Sequence, residues 1–442
     1  MKIQMPAAVK EIIATLQQNN FEAYAVGGCV RDSILGRKPN DWDITTSASP
    51  EEVKALFRRT IDTGIEHGTV TIMVDKVGYE VTTYRIDGKY EDGRHPKEVT
   101  FTRNLKEDLL RRDFTINAMA YNDTDGLVDI FGGMQDIENK VIRCVGDPKA
   151  RFTEDALRLM RAIRFAAQLG YSIEEKTREA MKEIAGNLTK ISAERIQVEL
   201  VKTLVSSNPF MLKDAYELGL TKYFMPEFDL AMETYQNNHH HMYTVGEHSL
   251  VATGHIRADK VLRLTMLMHD FGKPHCITTD EKGIDHYYGH PAKSEEIARE
   301  ILHRLKFDND TIRKVCILVR HHDERIVSGV KYMRRAVARI GEDVFPALFE
   351  VQEADIFAQS NYKKESKLEA LAINRRDYAE MLALKQCVSK ATLAVTGKDL
   401  IDCGMKPGKE IGAVLDAMLE DVIEEPQHNS KEYLLKKFLP FF

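Results

Sequence analysis

Val26-Gly27-Gly28-Cys29-Val30-Arg31-Asp32 and, a short loop later, Asp41-Trp42-Asp43-Ile44-Thr45-Thr46 decide how the N-terminal part of this chain folds. Ala23 to Val26 reads as a strand, Gly27-Gly28 as a turn, Val30 to Leu35 as a helix and Asp43-Ile44-Thr45 as a second strand. The glycines let backbone amides approach an oxyanion, the helix start favours negative charge, and Arg31 supplies a guanidinium fork. Residues two apart on a strand share a face, so Asp41 and Asp43 point the same way. Two like charges held that close call for a cation, and hard oxygen ligands suit Mg²⁺. Phosphoryl and nucleotidyl transfer use two such ions, one to activate the attacking hydroxyl and one to steady the leaving pyrophosphate. Alone, the aspartate pair reads first as a solvated turn and the glycine pair as a plain one. Their order on strand–turn–helix–strand is far more specific.

Outward from this run the head continues in short β-like segments. Ser49-Pro50-Glu51-Glu52 opens a helix with a capping box, and Thr69 to Val74 with Tyr79 to Tyr84 forms a hairpin around Lys76-Val77-Gly78. Arg85 to Lys97 reads as a polar loop. From Thr153 on, helical periodicity dominates, with breaks near Gly186-Asn187, Ser206 to Pro209, Met225-Pro226 and Thr278 to Gly283. The expected class is α+β: a small α/β head over residues 1–145, then an all-α remainder. Its parts are a neck over 146–228, a third domain over 229–360 and a tail over 361–442.

With 442 residues the chain has length for about three domains. A composition of 43% hydrophobic and 29% charged residues excludes collagen-like and wholly disordered readings. No apolar run approaches the roughly 18 residues of a membrane span, and Lys10 and Glu11 interrupt any leader-like core. Six cysteines without a Cys-x-x-Cys pair read as small buried hydrophobes in a reducing compartment, so the expected location is the cytoplasm. A net charge of −6 means that a nucleic-acid partner would need a local basic face.

Asp155 and Arg158 fall three apart in a helix expected to open at Thr153. They read either as a surface salt bridge or as a device for reading a base. A carboxylate accepts from an exocyclic amine while a guanidinium donates to ring nitrogen and carbonyl, the edge that cytosine and adenine share. Uracil and guanine would leave both groups mismatched, and such a site rejects them strongly. Arg161 and Arg164 continue the ridge, and with Arg143, Lys149 and Arg151 they supply the expected positive face.

These motifs, with Leu109-Leu110-Arg111-Arg112-Asp113-Phe114-Thr115-Ile116-Asn117-Ala118 and Glu154-Asp155-Ala156-Leu157-Arg158, closely resemble the bacterial tRNA CCA-adding nucleotidyltransferases and poly(A) polymerases, class II of the polymerase-β superfamily. The resemblance is dense over the first ~230 residues and returns at Thr396-Gly397-Lys398-Asp399-Leu400 and Pro407-Gly408-Lys409-Glu410-Ile411-Gly412. It implies that Asp41 and Asp43 ligate catalytic Mg²⁺, with Glu80 either a third carboxylate or a solvated strand residue. It also implies that Gly28, Arg31 and Arg112 hold the triphosphate, with Asp113 near the sugar, and that Asp155, Arg158, Arg161 and Arg164 line the nucleotide site. CTP, ATP and the acceptor–T arm of tRNA are the implied partners. In the family, enzymes adding only the two cytidines tend to be shortened around Asp87-Gly88-Lys89-Tyr90-Glu91-Asp92-Gly93-Arg94; this full loop favours complete CCA addition.

A second chemistry is written in the histidines. Leu267-Met268-His269-Asp270-Phe271-Gly272-Lys273 sets adjacent nitrogen and oxygen ligands on an apolar helix, where an uncompensated aspartate is costly and a metal satisfies both. The series His248, His269-Asp270, His290, His322 and Asp355 resembles the HD superfamily of metal-dependent phosphohydrolases, which is fused to the nucleotidyltransferase in some bacterial CCA-adding enzymes. That resemblance implies one ion on His248, His269, Asp270 and Asp355, with His290 and His322 completing a second site for Mn, Ni, Fe or Co. Three alternatives to CCA addition stand beside it: a poly(A) polymerase, a CC- or A-only adding enzyme, and an HD phosphohydrolase whose head only binds RNA.

Overall fold

The computed structural model describes residues 2–88, 99–239 and 242–439, and the chain divides into two units, Met1–Phe224 and Met225–Phe442. In the first unit, α1 (Ala7–Gln18) buries Val9, Ile12, Ile13 and Leu16, the stripe its 3.6-residue period dictates. Strand β1 (Ala23–Val26) enters α2 (Gly28–Ile34) through Gly27, whose φ of 81° favours glycine. Strand β2 (Asp43–Thr46) returns antiparallel to β1 with Asp43 opposite Val26, which sets the aspartates beside the glycine turn. Ser49 caps α3 (Pro50–Leu56) with the full Ser49–Glu52 box.

Strands β3 (Thr60–Gly64), β4 (Thr69–Val74) and β5 (Val77–Thr83) extend one side of the sheet, and β5 joins β2 in parallel. The β4–β5 turn falls on Asp75-Lys76, not on the expected Lys76-Val77-Gly78. Both turn residues have positive φ, as a two-residue hairpin of matching twist requires. Gly78 lies within the strand instead, where a Cβ would meet Thr71 Cγ2 at 2.8 Å. Short β6 (Arg85–Asp87) and β7 (Val99–Phe101) pair antiparallel, so the segment expected to be loop begins as strand; residues 89–98, most of the expected lever loop, lie outside the described residues.

After α4 (Leu105–Leu110), β8 (Met119–Asn122) and β9 (Gly126–Asp129) complete a seven-stranded sheet of order β3-β4-β5-β2-β1-β8-β9. Then follow α5 (Gly133–Asn139), α6 (Pro148–Glu154), α7 (Leu157–Leu169), α8 (Glu175–Ile184), α9 (Ala193–Leu204) and α10 (Met211–Glu217). The helix expected across Thr153–Arg158 is two helices. Asp155 is extended at the break, where it ends α6, and its Oδ1 accepts from Leu157 N, the first residue of α7, at 3.0 Å.

The second unit is helical: α11 (Pro226–Glu233), α12 (Val245–His255), α13 (Lys260–Met268), α14 (His290–Arg304), α15 (Asn309–His321), α16 (Val330–Ile340), α17 (Phe345–Ala358) and α18 (Lys364–Ala383). Thr278–Thr279 and Asp285–His286 form a small hairpin between α13 and α14. Phe345, Leu348 and Val351 of α17 centre its core. A smaller cluster around Val395, Leu400, Met418 and Leu434 gathers α19 (Gly397–Asp402), α20 (Lys409–Glu424) and α21 (Lys431–Phe438). Arg334 of α16 ties the two clusters: buried, it donates to the Ile423 and Glu424 carbonyls that end α20 and to Gln386 Oε1. Arg334→Met leaves those carbonyls without that donor and is expected to cost about 3 kcal/mol, measured as a lower denaturant midpoint. Among the described residues, no helix is long and apolar enough to cross a membrane.

Candidate functional site

One cleft of about 720 Å³ in the first unit is lined by Asp41, Asp43, Gly28, Arg31, Arg112, Asp113, Asp155, Arg158, Arg161 and Arg164. These ten residues, selected in the sequence for Mg²⁺ and nucleotide, come from four stretches of chain, 28–31, 41–43, 112–113 and 155–164, whereas Glu80 is not among the lining residues. Asp43 and Asp41 stand at the start of β2. Burial raises the Asp43 carboxyl above its ordinary value; Arg112 opposes the shift and Asp41 adds to it. Glu80 on β5 is raised too, by burial and then by Asp43 and Asp41, so it lies within the field of both aspartates. Such mutual repulsion between hard oxygen donors fits a divalent cation such as Mg²⁺.

Facing them is a bank of cations. Gly27 leaves space that a Cβ would take 3.2 Å from Arg112 Nη1, while Arg31 donates to Asn117 Oδ1 at 2.6 Å and pairs with Asp32 at 2.8 Å. Asp108, fully buried, anchors Arg111 at 2.8 Å and Arg112 at 3.3 Å and accepts from Thr45 Oγ1 at 3.0 Å. Asp113 accepts from Arg161 Nε at 2.8 Å and from Asn117 Nδ2 at 3.1 Å. Burial alone would raise its carboxyl, but Arg161 and Asn117 outweigh burial and hold it at about 2. The Asp113 contribution to stability is therefore complete above about pH 4 and lost as pH falls toward about 2, a loss of about 2 kcal/mol. Asp113→Asn should flatten that acid limb in unfolding titrations.

Asp155 and Arg158 do not form the surface salt bridge that their spacing allows. The Asp155 Oδ2 accepts from Arg195 Nη2 at 2.8 Å, whereas Arg158 binds Glu154 at 2.7 Å and the Arg151 and Arg111 carbonyls at 2.9 and 3.0 Å. The positive face also differs from the expected one. Arg143 is paired with Asp136 and Glu174, Lys149 with Glu183 and Arg151 with Glu154, so these three supply little free charge. The cleft takes its excess from Arg111, Arg195 and Lys202 in addition to the selected arginines: eight cations against five aspartates line it. Arg195 and Lys202 were missed, although their seven-residue spacing puts them on one face of α9.

In the second unit the histidines converge. His248 Nε2 lies 2.9 Å from Asp355 Oδ1, 3.2 Å from His269 Nε2 and 3.4 Å from Asp270 Oδ2. His290 and His322 have their Nε2 atoms 3.3 Å apart, and these lie 3.3 and 3.6 Å from Asp270 Oδ1. All four rings have Nδ1 at a backbone carbonyl: Ala358, Met266, Tyr287 and Val319. Donating there fixes the tautomer and aims each Nε2 lone pair inward. Asp270 is fully buried with neither carboxylate oxygen in a well-aligned hydrogen bond, and it joins two ligand trios, His248–His269–Asp270 and Asp270–His290–His322. Burial disfavours a charged His269, yet Asp270 and Asp355 outweigh it and push the ring up to about 10, and Lys273 Nζ lies 2.7 Å from Asp270 Oδ2.

Residues 23–143 match the family described as "Poly A polymerase head domain", 170–232 "Probable RNA and SrmB-binding site of polymerase A", and 290–438 "tRNA nucleotidyltransferase domain 2 putative". The CCA-adding enzyme of Levilactobacillus brevis is 38% identical over 96% of this chain and 96% of its own. This chain belongs to the CCA-adding enzyme family. A second CCA-adding enzyme, from Pediococcus pentosaceus, is 36% identical over 98% of both chains. The solved CCA-adding enzyme of Bacillus stearothermophilus in complex with CTP is 30% identical, with a TM-score of 0.69 over 99% of this chain and 98% of that one. The α/β head followed by a mostly helical body is thus the architecture of a CCA-adding enzyme.

Proposed function

We propose that this chain adds CCA to the 3′ end of tRNA without a template, taking CTP and ATP and releasing pyrophosphate. The observation that carries this reading is the single cleft holding Asp41 and Asp43 together with Asp155 and Arg158, in a chain of this family. Asp41 and Asp43, joined by Glu80, would hold Mg²⁺. When bound, Mg²⁺ eases loss of the attacking hydroxyl proton and neutralises triphosphate charge. Gly28, Arg31 and Arg112 receive the phosphates, and Asp113 with Arg161 forms a rigid wall near the sugar. Asp155 accepts the exocyclic amine of cytosine or adenine and Arg158 donates to the neighbouring acceptors. Arg195 steadies Asp155 for that task.

Residues 1–145 act as the head, 146–228 as the neck, and 361–442 as a tail that grips the acceptor–T arm by backbone shape. The cytoplasm is the compartment that fits six free cysteines and a tRNA substrate. Poly(A) synthesis and partial CC- or A-only addition are less favoured by the relatives' names. The test offers tRNA transcripts ending before CCA, after CC and complete, with each NTP singly and together. Extension of the first by three nucleotides, needing CTP and ATP alone, is the expected result; extension by A only would overturn it.

A second activity is supported by the histidine cluster. Residues 229–360 read as an HD phosphohydrolase-like domain, in which His248, His269, Asp270 and Asp355 would hold one Mn, Ni, Fe or Co ion and His290 with His322 a second, sharing Asp270. Lys273, Arg325 and Lys367 line the cleft above, which suits a phosphate ester. Because Asp41 and Asp43 remain in the head cleft, the reading of an RNA-binding head serving only a hydrolase is disfavoured.

A further inference from the structure

Three guanidiniums converge on one ring at the floor of the nucleotide cleft. Phe165 of α7 is only 6% exposed, yet it lines the cleft. The guanidinium carbon of Arg164 lies 4.1 Å from its centroid, that of Arg31 5.0 Å and that of Arg161 5.3 Å. Each cation is also held from another side. Arg31 has Asp32 and Asn117, Arg161 has Asp113, and Arg164 has its Nε 2.7 Å from Glu199 Oε2, off the line of a good hydrogen bond. Phe114, which directly follows Asp113, packs edge-on against the ring at 5.8 Å and 81° and fixes its plane.

Like charges so gathered repel, and the negative face of an aromatic ring offsets that repulsion where a second carboxylate would compete with phosphate. An aliphatic side chain of similar volume would fill the space without supplying that face. Arg31 comes from α2, beside the glycine turn, whereas Arg161 and Arg164 come from α7, the helix that follows Asp155. We infer that Phe165 is a positioning residue for nucleotide selection: its ring is the shared platform that sets the distance between the phosphate-facing Arg31 and the arginines of the base-reading helix. This inference rests on the function proposed above. Burial lowers Arg164, the guanidinium nearest the ring, to about 10 in spite of Glu199, which acts to raise it.

The test compares the full-length protein with Phe165→Leu and Phe165→Tyr. Trp42, the single tryptophan, stands between Asp41 and Asp43, so its fluorescence can follow titration with CTP and Mg²⁺ in the absence of tRNA. The expected result for Phe165→Leu is CTP binding weakened about tenfold and more UTP incorporated relative to CTP, with the maximum rate of CTP addition within about threefold. Phe165→Tyr, which keeps the ring face, should restore binding to within about threefold of the unaltered protein. If Phe165→Leu does not fold, Phe165→Met carries the same comparison. Unchanged CTP binding in the aliphatic variant, a tyrosine variant as weak as the leucine one, or a loss in maximum rate alone would each overturn the inference. Failure of the unaltered protein to extend tRNA would instead overturn the proposed function, and the CTP titration would still be readable.

Discussion

Asp43→Asn should lower incorporation of CMP and AMP into tRNA by at least about a thousandfold. The substitution keeps the side-chain volume and removes one charge from a trio in which Asp43 and Glu80 are both raised by burial and by neighbouring carboxylates. The sign for stability follows from that direction. A carboxylate raised in the folded state makes folding less favourable once pH exceeds its unfolded value, so neutralising it relieves strain at pH 7. In chelator, the Asn variant is therefore expected to melt at or above the temperature of the unaltered chain. Added Mg²⁺ should stabilise the unaltered chain by linkage and the variant far less. Calorimetry with and without Mg²⁺ thus separates loss of the ion site from loss of the fold. Incorporation within tenfold of the unaltered protein would remove Asp43 from the ion site.

The parts of this site that local sequence could announce are those whose geometry is covalently local. Asp41 and Asp43, two residues apart at the entry to β2, reach the same cleft, and Gly27 makes its turn with a positive φ. What sequence could not announce is pairing across distance. Glu174 and Glu183 neutralise Arg143 and Lys149 from a later helix, so the charges of residues 143–151 summed to a face that the fold cancels. Arg195 reaches Asp155 from 40 residues downstream, and Asp108 is buried between two arginines and a threonine of β2. The hairpin turn was misjudged for a different reason. Glycine usually marks a turn, but Gly78 answers to Thr71 on the adjacent strand, and the less conspicuous Asp75-Lys76 makes the bend. The helix break at Asp155 belongs to the same class, because an aspartate whose side chain bonds a backbone amide two residues on competes with the helix it would sit in.

The convergence of His248, His269, Asp270, His290 and His322 could be expected from an Asp in an apolar setting, but the place of Asp270 in two trios that could each hold an ion is a property of the fold alone. It leads to a graded expectation. On the proposed two-ion site, Asp270→Asn should strip both ions, so that metal analysis of the purified protein falls from about two per chain to near zero. Asp355 touches only the first trio, at 2.9 Å from His248 and 3.5 Å from His269, and Asp355→Asn should leave about one ion. His322→Ala, on the other trio, should also leave about one. The proposed phosphoesterase activity should be absent from Asp270→Asn while CCA addition persists, the mirror image of Asp43→Asn. Retention of two ions by Asp270→Asn would mean that its buried carboxylate compensates Lys273, 2.7 Å away, and not metal. Asp270→Asn and Asp355→Asn leave the Nδ1 contacts of all four rings to backbone carbonyls intact, and His322→Ala removes only its own, so the remaining imidazoles keep their aim and a lost ion reports the lost ligand instead of a collapsed pocket.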